Sequence, residues 1–183
     1  MIPNDYAGRV VLVTGAGSGI GREAAKAFAA RGGLVYAADL NEHGLAETVD
    51  LIAEIGGKAR AVLVDVADEE EVASVIGRIG REAGRLDVAF NNAGITGKAQ
   101  RLEDYPTEDF DRVIAVNLRS VFLGMKHELP LIKKSGGGAI VNTASVAALT
   151  GPGGMSAYAA SKHGVHGLTR VAAMENAAHN VRV

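Results

Sequence analysis

The sequence has 183 residues, a length that fits one domain with a sizeable hydrophobic core. Hydrophobic residues make up 48% and charged residues 22%, a balance typical of globular proteins and not of disordered chains. The formal net charge of -2 gives no support to a nucleic-acid-binding face, and the lack of cysteine excludes disulfides, thiolate catalysis and cysteine-ligated metal sites.

The first residues and the lengths of the apolar runs indicate where in the cell the protein is located. The first residues, M-I-P-N-D, lack the basic segment and the following apolar stretch of a signal peptide. No apolar run approaches the length of a membrane-spanning helix. We therefore expect a cytoplasmic protein.

Histidine spacing does not indicate a metal site. None of the five histidines stands in a pattern such as H-E-x-x-H. His163 and His166 are three positions apart on a predicted helix, but no third ligand accompanies them. We expect both to be surface or packing residues, and we expect no bound metal.

Short apolar runs alternate with helical patterns along the chain. Continuous runs, as opposed to alternating patterns, predict strands that are buried on both faces. Five such runs occupy residues 10–13, 34–38, 61–64, 86–90 and 139–141. The alternation of strands and helices predicts an α/β fold, a Rossmann-like doubly wound parallel sheet with helices on both faces.

Helices are predicted between these strands. Asp68 and Glu71 resemble a capping box at the start of one helix, and Pro106 and Thr107 open a long one. The last helix is predicted over residues 158–178. Residues 180–183 resemble the beginning of a sixth strand. We therefore expect a C-terminally truncated domain, with its last strands missing or incomplete.

Glycines occupy alternate positions directly behind the first predicted strand. The spacing is T-G-x-x-x-G-x-G, with Thr14, Gly15, Gly19 and Gly21 at the fixed positions. In a parallel α/β sheet, ligands bind beyond the carboxyl ends of the strands, and the N–H groups of a helix start suit a phosphate. The alternative is a tight turn without function. The location after strand one favours a dinucleotide site, so we interpret residues 1–183 as a single NAD(P)-binding domain.

Asp39 ends the second predicted strand. A carboxylate there can accept hydrogen bonds from both ribose hydroxyls and would repel a 2′-phosphate. Ser18 and Leu40 are neutral, where an NADP site would favour Arg or Lys. The sequence therefore favours NAD over NADP. The alternative is that Asp39 only caps the next helix.

Further motifs follow in chain order. They are Asn91-Asn92-Ala93-Gly94 after the fourth predicted strand, Asn117 in the long helix, Ser145 after the fifth strand, and Tyr158-Ala159-Ala160-Ser161-Lys162 at the start of the last helix. Together with the glycine motif, this series resembles the short-chain dehydrogenase/reductase family over nearly the whole chain. The resemblance implies an NAD-dependent oxidoreductase that interconverts a secondary alcohol and a ketone.

Elementary chemistry gives these residues compatible roles. Tyr158 and Lys162 are four positions apart, so they share one helix face. An ammonium beside a phenol favours the phenolate and lowers its pKa, which suits Tyr158 to acid/base catalysis. Ser145 could donate a hydrogen bond to the substrate oxygen. Tyr158 as a surface-reaching aromatic and Ser145 as an ordinary strand-end hydroxyl remain the alternatives.

The resemblance implies further roles. The lysine also bonds the nicotinamide ribose, Asn117 helps to hold a water in a proton relay, and Asp65 and Val66 lie near the adenine. Asn117 could instead bond the backbone of a neighbouring strand. The predicted catalytic residues are Ser145, Tyr158, Lys162 and Asn117. The predicted cofactor-binding residues are Gly15, Ser18, Gly19, Ile20, Gly21, Asp39, Leu40, Asp65, Val66, Asn92, Ala93, Gly94, Tyr158 and Lys162.

Clues to the substrate and to assembly are fewer. The resemblance places Thr96 and residues 149–155 beside the substrate pocket. Because Ala147, Leu149 and Met155 are apolar, we expect an uncharged alcohol or ketone. The resemblance also implies a homodimer or homotetramer, with contacts along the helices that start at Thr107 and Tyr158. The alternative functions are a non-catalytic dinucleotide-binding regulator and an inactive fragment of such an enzyme.

Overall fold

Parallel strands form one sheet in the computed structural model, which describes residues 5–183. Within those residues the strands are β1 (Val10–Thr14), β2 (Leu34–Asp39), β3 (Lys58–Leu63), β4 (Val88–Asn91), β5 (Gly138–Asn142) and β6 (Val181–Arg182). They lie in the order β3-β2-β1-β4-β5-β6, and every neighbouring pair is parallel. The order reverses between β1 and β4, so the crevice at their carboxyl ends is the expected ligand site.

Helices connect the strands and cover both faces of the sheet. They are α1 (Gly19–Ala30), α2 (Glu42–Glu54), α3 (Glu69–Ala83), α4 (Thr107–Ile114), α5 (Ser120–Lys134) and α6 (Ser156–Asn176). Short 3₁₀ turns occupy Leu102–Asp104, Val146–Ala148 and Ala177–His179. The predicted Rossmann-like fold is confirmed. Among residues 5–183, no helix combines the length and apolarity needed to cross a membrane.

The two faces of β1 and β2 supply two separate cores. Val11 and Val35 point to one face, where they pack with Ala25 of α1 and with α2. Leu12 and Tyr36 point to the other face and join a larger cluster that includes α3, α5 and α6. Both strands are therefore buried on both faces, as their continuous apolar runs predicted.

Strand β3 differs from the prediction. It begins at Lys58, three residues before the predicted start, and ends at Leu63. Only Val62 is buried along it, so the expectation of a strand buried on both faces is wrong here. The physical reason is its position at the edge of the sheet, where pairing with β2, from Lys58 opposite Leu34 onward, defines its extent.

The boundaries of two helices also differ from the prediction. The long helix predicted from Thr107 consists of α4 and α5 joined by a wider π-helical turn at Ala115–Arg119. The last helix begins at Ser156 and ends at Asn176, two residues earlier at each end than predicted. After it, Asn180 adopts a left-handed conformation with φ of 57° and turns the chain into β6, which confirms the expected start of a sixth strand.

The predicted capping box at α3 forms only in part. The Asp68 carboxylate accepts a hydrogen bond from the backbone N–H of Glu71 at 3.0 Å, as expected. The Glu71 carboxylate does not return to the backbone of Asp68. It accepts instead from the backbone N–H of Asp65 at 2.7 Å. Glu71 therefore fixes the segment that leaves β3, where the cofactor residues Asp65 and Val66 were predicted.

Candidate active site

The glycine loop between β1 and α1 is packed so closely that side chains are excluded. A Cβ atom on Gly21 would lie 2.0 Å from the carbonyl oxygen of Gly15. Gly15 itself has φ of 67°, and its Cβ would lie 3.0 Å from the Cα of Ala93. Gly21 must be glycine because no space is left for a side chain. Gly15 must be glycine for the same reason and also because of its backbone conformation. The bare backbone of this loop precedes the N-terminus of α1, which suits a phosphate group.

Two residues of α1 and α2 brace this loop. The Arg22 guanidinium donates to the carbonyl oxygen of Gly17 and to the hydroxyl of Thr48. The Thr48 hydroxyl in turn lies 2.8 Å from the carbonyl oxygen of Ala16. Arg22 also pairs with Glu47 at 2.7 Å. These contacts tie the glycine loop to α2 and fix its path.

Asp39 lies at the carboxyl end of β2, beside the glycine loop. Its Oδ2 accepts a hydrogen bond from the backbone N–H of Gly17 at 2.8 Å, and its Oδ1 accepts from the N–H of Asn41 at 2.9 Å. The N-cap of α2 is Asn41, whose side chain accepts from the N–H of Gly44. Asp39 is therefore not the capping residue of α2, and its carboxylate keeps further lone pairs for a ligand.

The segment after β4 is anchored by Thr14 at the end of β1. The Thr14 hydroxyl accepts from the backbone N–H groups of Asn92 at 2.9 Å and Ala93 at 3.1 Å. The Asn92 side chain donates to the carbonyl oxygen of Thr14 and accepts from the hydroxyl of Thr143. Asn92 therefore joins the ends of β1 and β5.

A cleft of about 180 Å³ lies over the carboxyl ends of β1 to β4. Seven of the predicted cofactor residues line it: Gly15, Asp39, Leu40, Asp65, Val66, Ala93 and Gly94. The sequence analysis missed the other lining residues, Val64, Ile95, Arg112 and Val116. The tertiary structure therefore brings together residues from four separate strand ends and from α4, as expected for a dinucleotide-binding crevice.

Lys162 and Tyr158 meet on one face of α6. The Lys162 side chain is buried, and its Nζ donates to the backbone carbonyl oxygen of Thr143 at 2.7 Å. The same Nζ lies 5.7 Å from the centre of the Tyr158 ring. Burial lowers the pKa of the Lys162 ammonium from its usual value. The predicted pair therefore shares one helix face, with the lysine held in place from β5.

Ser145 follows β5 and starts the 3₁₀ turn Val146–Ala148. Its backbone is extended, with φ of -164°, and its Oγ accepts a hydrogen bond from the N–H of Ala147 at 3.2 Å. This bond uses an oxygen lone pair and leaves the hydroxyl proton available for donation. The hydroxyl is therefore oriented by the turn and keeps its donor.

Asn117 lies in the π-helical turn between α4 and α5 and is completely buried. Its Oδ1 accepts from the N–H of Ile95, and its Nδ2 donates to the carbonyl oxygen of Ile95, both at 2.8 Å. The Nδ2 also lies 3.2 Å from the hydroxyl of Ser161. The side-chain amide of Asn117 thus holds the segment after β4, which is the alternative role considered above.

The chain matches the short chain dehydrogenase family over residues 9–183. It belongs to this family. Cyclohexanol dehydrogenase from Acinetobacter sp. (strain SE19) is 43% identical over 183 residues, which are 100% of this chain and 73% of that protein. Levodione reductase from Leifsonia aquatica is 41% identical over 180 residues, which are 97% of this chain and 67% of that protein.

A solved structure agrees with the fold of this short-chain dehydrogenase. The crystal structure of NAD+-bound xylitol dehydrogenase superposes with a TM-score of 0.95 at 38% sequence identity, covering 97% of this chain and 68% of that one. The predicted family membership and fold class are therefore confirmed.

Charged side chains lie near Thr96, the residue that the resemblance places beside the substrate pocket.

 Thr96 lines a cleft of about 410 Å³ together with Lys98, Asp109 and Arg112. Lys98 forms an ion pair with Asp109. The apolar residue Leu149 is 75% exposed. The surroundings of Thr96 are therefore more polar than the apolar residues Ala147, Leu149 and Met155 indicated.

The small residues of α6 do not all face outward. A Cβ on Gly164 would lie 2.7 Å from Leu118 Cδ1, so Gly164 packs against its own chain. Gly167 has open space around its Cα, and Ala160 is exposed. His163 and His166 are exposed, as the sequence predicted. Gly164 therefore offers no space to a partner helix, because Leu118 of the same chain already fills it.

Proposed function

We propose that this short-chain dehydrogenase interconverts a secondary alcohol and a ketone with NAD, and that Tyr158 is the catalytic acid/base. One observation carries the proposal. The buried Nζ of Lys162 is held by the carbonyl oxygen of Thr143 at 2.7 Å and lies 5.7 Å from the centre of the Tyr158 ring. A cation fixed beside a phenol favours the phenolate, as the proposed proton transfer requires.

Several residues of the chain take part in the proposed proton transfer. In the oxidation direction, Tyr158 as phenolate accepts the proton of the substrate hydroxyl, and in the reduction direction its hydroxyl returns a proton to the carbonyl oxygen. Ser145 donates a hydrogen bond to the same substrate oxygen and orients it. Lys162 stabilises the phenolate, and Asn117 holds the segment after β4 through Ile95.

The residues present fit a nicotinamide dinucleotide. A Cβ built on Gly19, the first residue of α1, would have no atom within 4 Å, so the bare backbone there is open to a pyrophosphate. Asp39 would hold the adenosine ribose, while Asp65 and Val66 would border the adenine. A bound nicotinamide dinucleotide supplies the hydride acceptor for oxidation or the hydride donor for reduction.

Asp39 and Leu40 support NAD over NADP. The Asp39 carboxylate lines the cleft beside the glycine loop, where it would accept from ribose hydroxyls and repel a 2′-phosphate. Leu40 follows it and is 67% exposed, so no cation occupies that position to pair with a phosphate. Arg22, a basic residue of α1 that contacts the glycine loop, is engaged with Gly17, Thr48 and Glu47.

We further propose an uncharged alicyclic alcohol or ketone as the substrate class. The names of two relatives support it, because cyclohexanol dehydrogenase and levodione reductase are 43% and 41% identical to this chain. The exposed apolar side chains of Val146 and Leu149 beside Ser145 offer a surface for such a ring. Oxidation of cyclohexanol in the presence of NAD is therefore the first activity to measure.

The cofactor preference is tested by fluorescence titration with NADH and NADPH. We expect NADH to bind at least about tenfold more tightly, the factor of one well-placed charge interaction. Asp39→Asn should reduce this preference, whereas Asp50→Asn, an exposed carboxylate of α2, should leave it unchanged. Equal binding of NADH and NADPH by the unmodified protein would contradict the assignment of Asp39.

The catalytic role is tested with Tyr158→Phe. The variant keeps the ring and loses the hydroxyl, so turnover should fall by about 100-fold or more while NADH binding is retained. Tyr105→Phe is the matched control, since Tyr105 is not part of the proposed catalytic set. A Tyr158→Phe variant with full turnover would overturn the mechanism. A protein that binds NADH yet turns over no alcohol would favour the non-catalytic alternative.

We propose that the protein forms a homodimer or homotetramer through the helices α5 and α6. Three apolar side chains on these helices support the proposal: Phe122 is 48% exposed, Val171 52% and Met174 83%. Light scattering should give a mass above that of one chain. A Met174→Glu variant should shift that mass toward the monomer, and a monomeric unmodified protein would contradict this proposal.

A further inference from the structure

A buried carboxyl group that the proposed chemistry does not use lies beneath the active site. Glu128 is on α5 and is completely buried. Its neighbours include the apolar side chains of Leu12, Val72 and Ile76, which line the same small cavity. An acidic side chain at such a position is ordinarily found with a cation or a metal. Glu128 has an amide partner instead.

The partner is Asn91, the last residue of β4. Asn91 Nδ2 donates a hydrogen bond to Glu128 Oε2 at 3.1 Å. The other carboxyl oxygen, Oε1, has no hydrogen-bond partner among residues 5–183. A Cβ built on Gly124 would lie 2.9 Å from Asn91 Oδ1 and 3.1 Å from Glu128 Oε1, so both oxygens border the same point. An ionised carboxylate would leave the buried Oε1 without a donor, whereas a protonated carboxyl can itself donate from Oε1.

The surroundings favour that proton on Glu128. Within residues 5–183, no Lys, Arg or His forms an ion pair with Glu128. The two residues that precede it on α5, Lys126 and His127, are directed to Glu69 instead. Burial raises the pKa of Glu128 to about 7, although the hydrogen bond from Asn91 acts in the opposite direction. A neutral carboxyl is then both a donor and an acceptor, like the amide that faces it.

Asn91 connects this pair to the proposed catalytic lysine. The backbone carbonyl oxygen of Asn91 accepts from the N–H of Thr143 at 3.0 Å. The carbonyl oxygen of Thr143 accepts from Lys162 Nζ at 2.7 Å. Asn91 Nδ2 also donates to Asn142 Oδ1 at 3.0 Å, which joins the carboxyl ends of β4 and β5. The position of Asn91 therefore bears on Lys162 through a single intervening residue.

We propose that Glu128 is held as a neutral carboxylic acid, which donates from Oε1 to Asn91 Oδ1 and accepts from Asn91 Nδ2 at Oε2, and that this pair positions Lys162 and the cofactor loop at residues 92–94. Glu128 is thus a positioning residue for a site whose catalytic role is the proposed function above. Gly124 is part of the arrangement, because a Cβ there would lie 2.9 Å from Asn91 Oδ1 and 3.1 Å from Glu128 Oε1.

The protonation state is tested by infrared difference spectroscopy of the unmodified protein and of Glu128→Gln. We expect the unmodified protein to show the carbonyl stretch of a protonated carboxyl that shifts in D₂O and is missing from Glu128→Gln. The measurement needs neither cofactor nor turnover. A spectrum recorded well below pH 7 in which Glu128→Gln removes only carboxylate bands would overturn the neutral acid.

The positioning role is tested by comparing three variants. Glu128→Gln can repeat both hydrogen bonds as a neutral amide, so NADH affinity and turnover should stay within about twofold of the unmodified protein. Glu128→Met has similar length and no hydrogen bonds, and should weaken NADH binding about tenfold. Asp87→Asn alters a buried carboxyl at the opposite end of β4 and should leave NADH affinity unchanged.

The pH profile of turnover separates positioning from a general loss of stability. In Glu128→Met a less well placed Lys162 should leave the Tyr158 phenolate less stabilised, which shifts the acidic limb of the profile to higher pH. Asp87→Asn should reduce stability without that shift. A Glu128→Met protein with unmodified affinity and profile would overturn the positioning role, and so would equal losses in Glu128→Gln and Glu128→Met.

Failure of this inference is distinguishable from failure of the proposed function. If the unmodified chain binds no NADH, the proposed function fails, and with it the positioning role. The infrared result still decides whether Glu128 is a neutral acid. If the unmodified chain binds NADH and Tyr158→Phe removes turnover, the proposed function stands, and the Glu128 variants alone decide the positioning role.

Discussion

A carboxyl group is buried at each end of strand β4, and the two groups have opposite kinds of partner. Asp87 lies just before β4 and is 3% exposed, with hydrogen bonds from Arg9, Arg85 and the backbone N–H of Val10. Glu128 lies beside the last residue of β4, and within residues 5–183 its only hydrogen-bond partner is the Asn91 amide. Among the described residues, cations therefore contact the carboxyl group at one end of the strand and none forms an ion pair with the carboxyl group at the other.

The pKa values follow from these partners. Burial by itself would raise the pKa of Asp87, but the hydrogen bonds from Arg85, Val10 and Arg9 outweigh it and hold the pKa below its usual value. Burial raises the pKa of Glu128 to about 7, because a single amide does not offset it. Burial alone therefore does not decide whether a carboxyl group is charged. The hydrogen-bond and charge partners that the fold places around the group decide it.

The location of each group explains the difference. Arg9 and Arg85 reach Asp87 from the rim of the sheet, where their side chains are 53% and 38% exposed. Glu128 lies under the carboxyl end of the sheet, between α3, α5 and the strands, where a long cationic side chain could not keep its head in water. The amino end of β4 thus contributes ion pairs to stability, and the carboxyl end supports the proposed site.

Removal of Asp87 should have the largest effect on stability. Asp87→Ala leaves the N–H of Val10 without an acceptor and removes the partner of Arg9 and Arg85, so the free energy of unfolding should fall by roughly 3 kcal/mol. Urea unfolding measures it. Asp87→Asn keeps an acceptor for Val10 and should lose less. Equal stability of Asp87→Ala and the unmodified protein would mean that the two ends of β4 do not differ as described.

The pH dependence of stability should have the opposite sign at the two ends. The pKa of Glu128 is raised from 4.5 to about 7, so the native state binds this proton more tightly than the unfolded state. Its contribution is therefore present below about pH 4.5 and is lost as pH rises to about 7, by about 3 kcal/mol in total. Asp87 has a lowered pKa, so its contribution is present above its usual pKa and is lost on acidification.

Urea unfolding of the unmodified protein and Glu128→Gln over this pH range measures the Glu128 contribution, because Gln does not titrate. The difference between the two free energies of unfolding should change steadily between about pH 4.5 and about 7 and then stay constant. A difference that is independent of pH would contradict the raised pKa. The same comparison with Asp87→Asn should change only at acidic pH.

Gly124→Ala should destabilise the protein at the carboxyl end of β4 through packing alone. Its Cβ would meet Asn91 Oδ1 at 2.9 Å and Glu128 Oε1 at 3.1 Å, so the variant should lose about 1–2 kcal/mol in spite of the better helix propensity of alanine. Gly80→Ala on α3 is the matched control. Its Cβ would make an ordinary contact with Leu131 Cδ1 at 3.7 Å, and it should gain roughly 0.5–1 kcal/mol. A gain of the same size in both variants would show that Gly124 leaves room for a side chain.

The smallest effect is expected for Arg9→Ala. The Arg9 side chain is 53% exposed, and Asp87 keeps the hydrogen bonds from Arg85 and Val10 after the change. The free energy of unfolding should therefore fall by only about 0.5 kcal/mol, as for other half-exposed ion pairs. A loss in thermal unfolding experiments as large as that of Asp87→Ala would mean that Arg9 alone accounts for the stability of this end.

The sequence predicted the elements whose signals are local. The apolar runs of β1 and β2 gave the correct strands, and the predicted dinucleotide site falls at a cleft over the strand ends. The prediction failed at β3, where sheet pairing with β2 decides the strand's extent. It also gave no sign of the π-helical turn at Asn117, because that turn depends on contacts with Ile95 and Ser161 from other segments.

Two buried polar residues, Thr48 and Glu128, carry a weak signal of their roles in the sequence. Thr48 lies on the apolar face of α2 between Leu45 and Ile52, a position where a polar side chain needs a partner, and it braces the glycine loop. Glu128 stands four residues after Gly124 and four before Ile132, on the buried face of α5. The spacing marks both residues as unusual, but it identifies neither their partners nor their protonation state.

The sequence by itself determined that the chain is a parallel α/β protein with its chemical groups at the strand ends, because runs, glycine spacing and the Tyr-x-x-x-Lys face are local features. The tertiary structure alone decided what those groups do to one another. Asn91 and Glu128 are 37 residues apart in the chain, and Lys162 meets the Thr143 carbonyl across 19 residues. Charge and pKa depend on such distant partners, and only the folded chain brings them within reach.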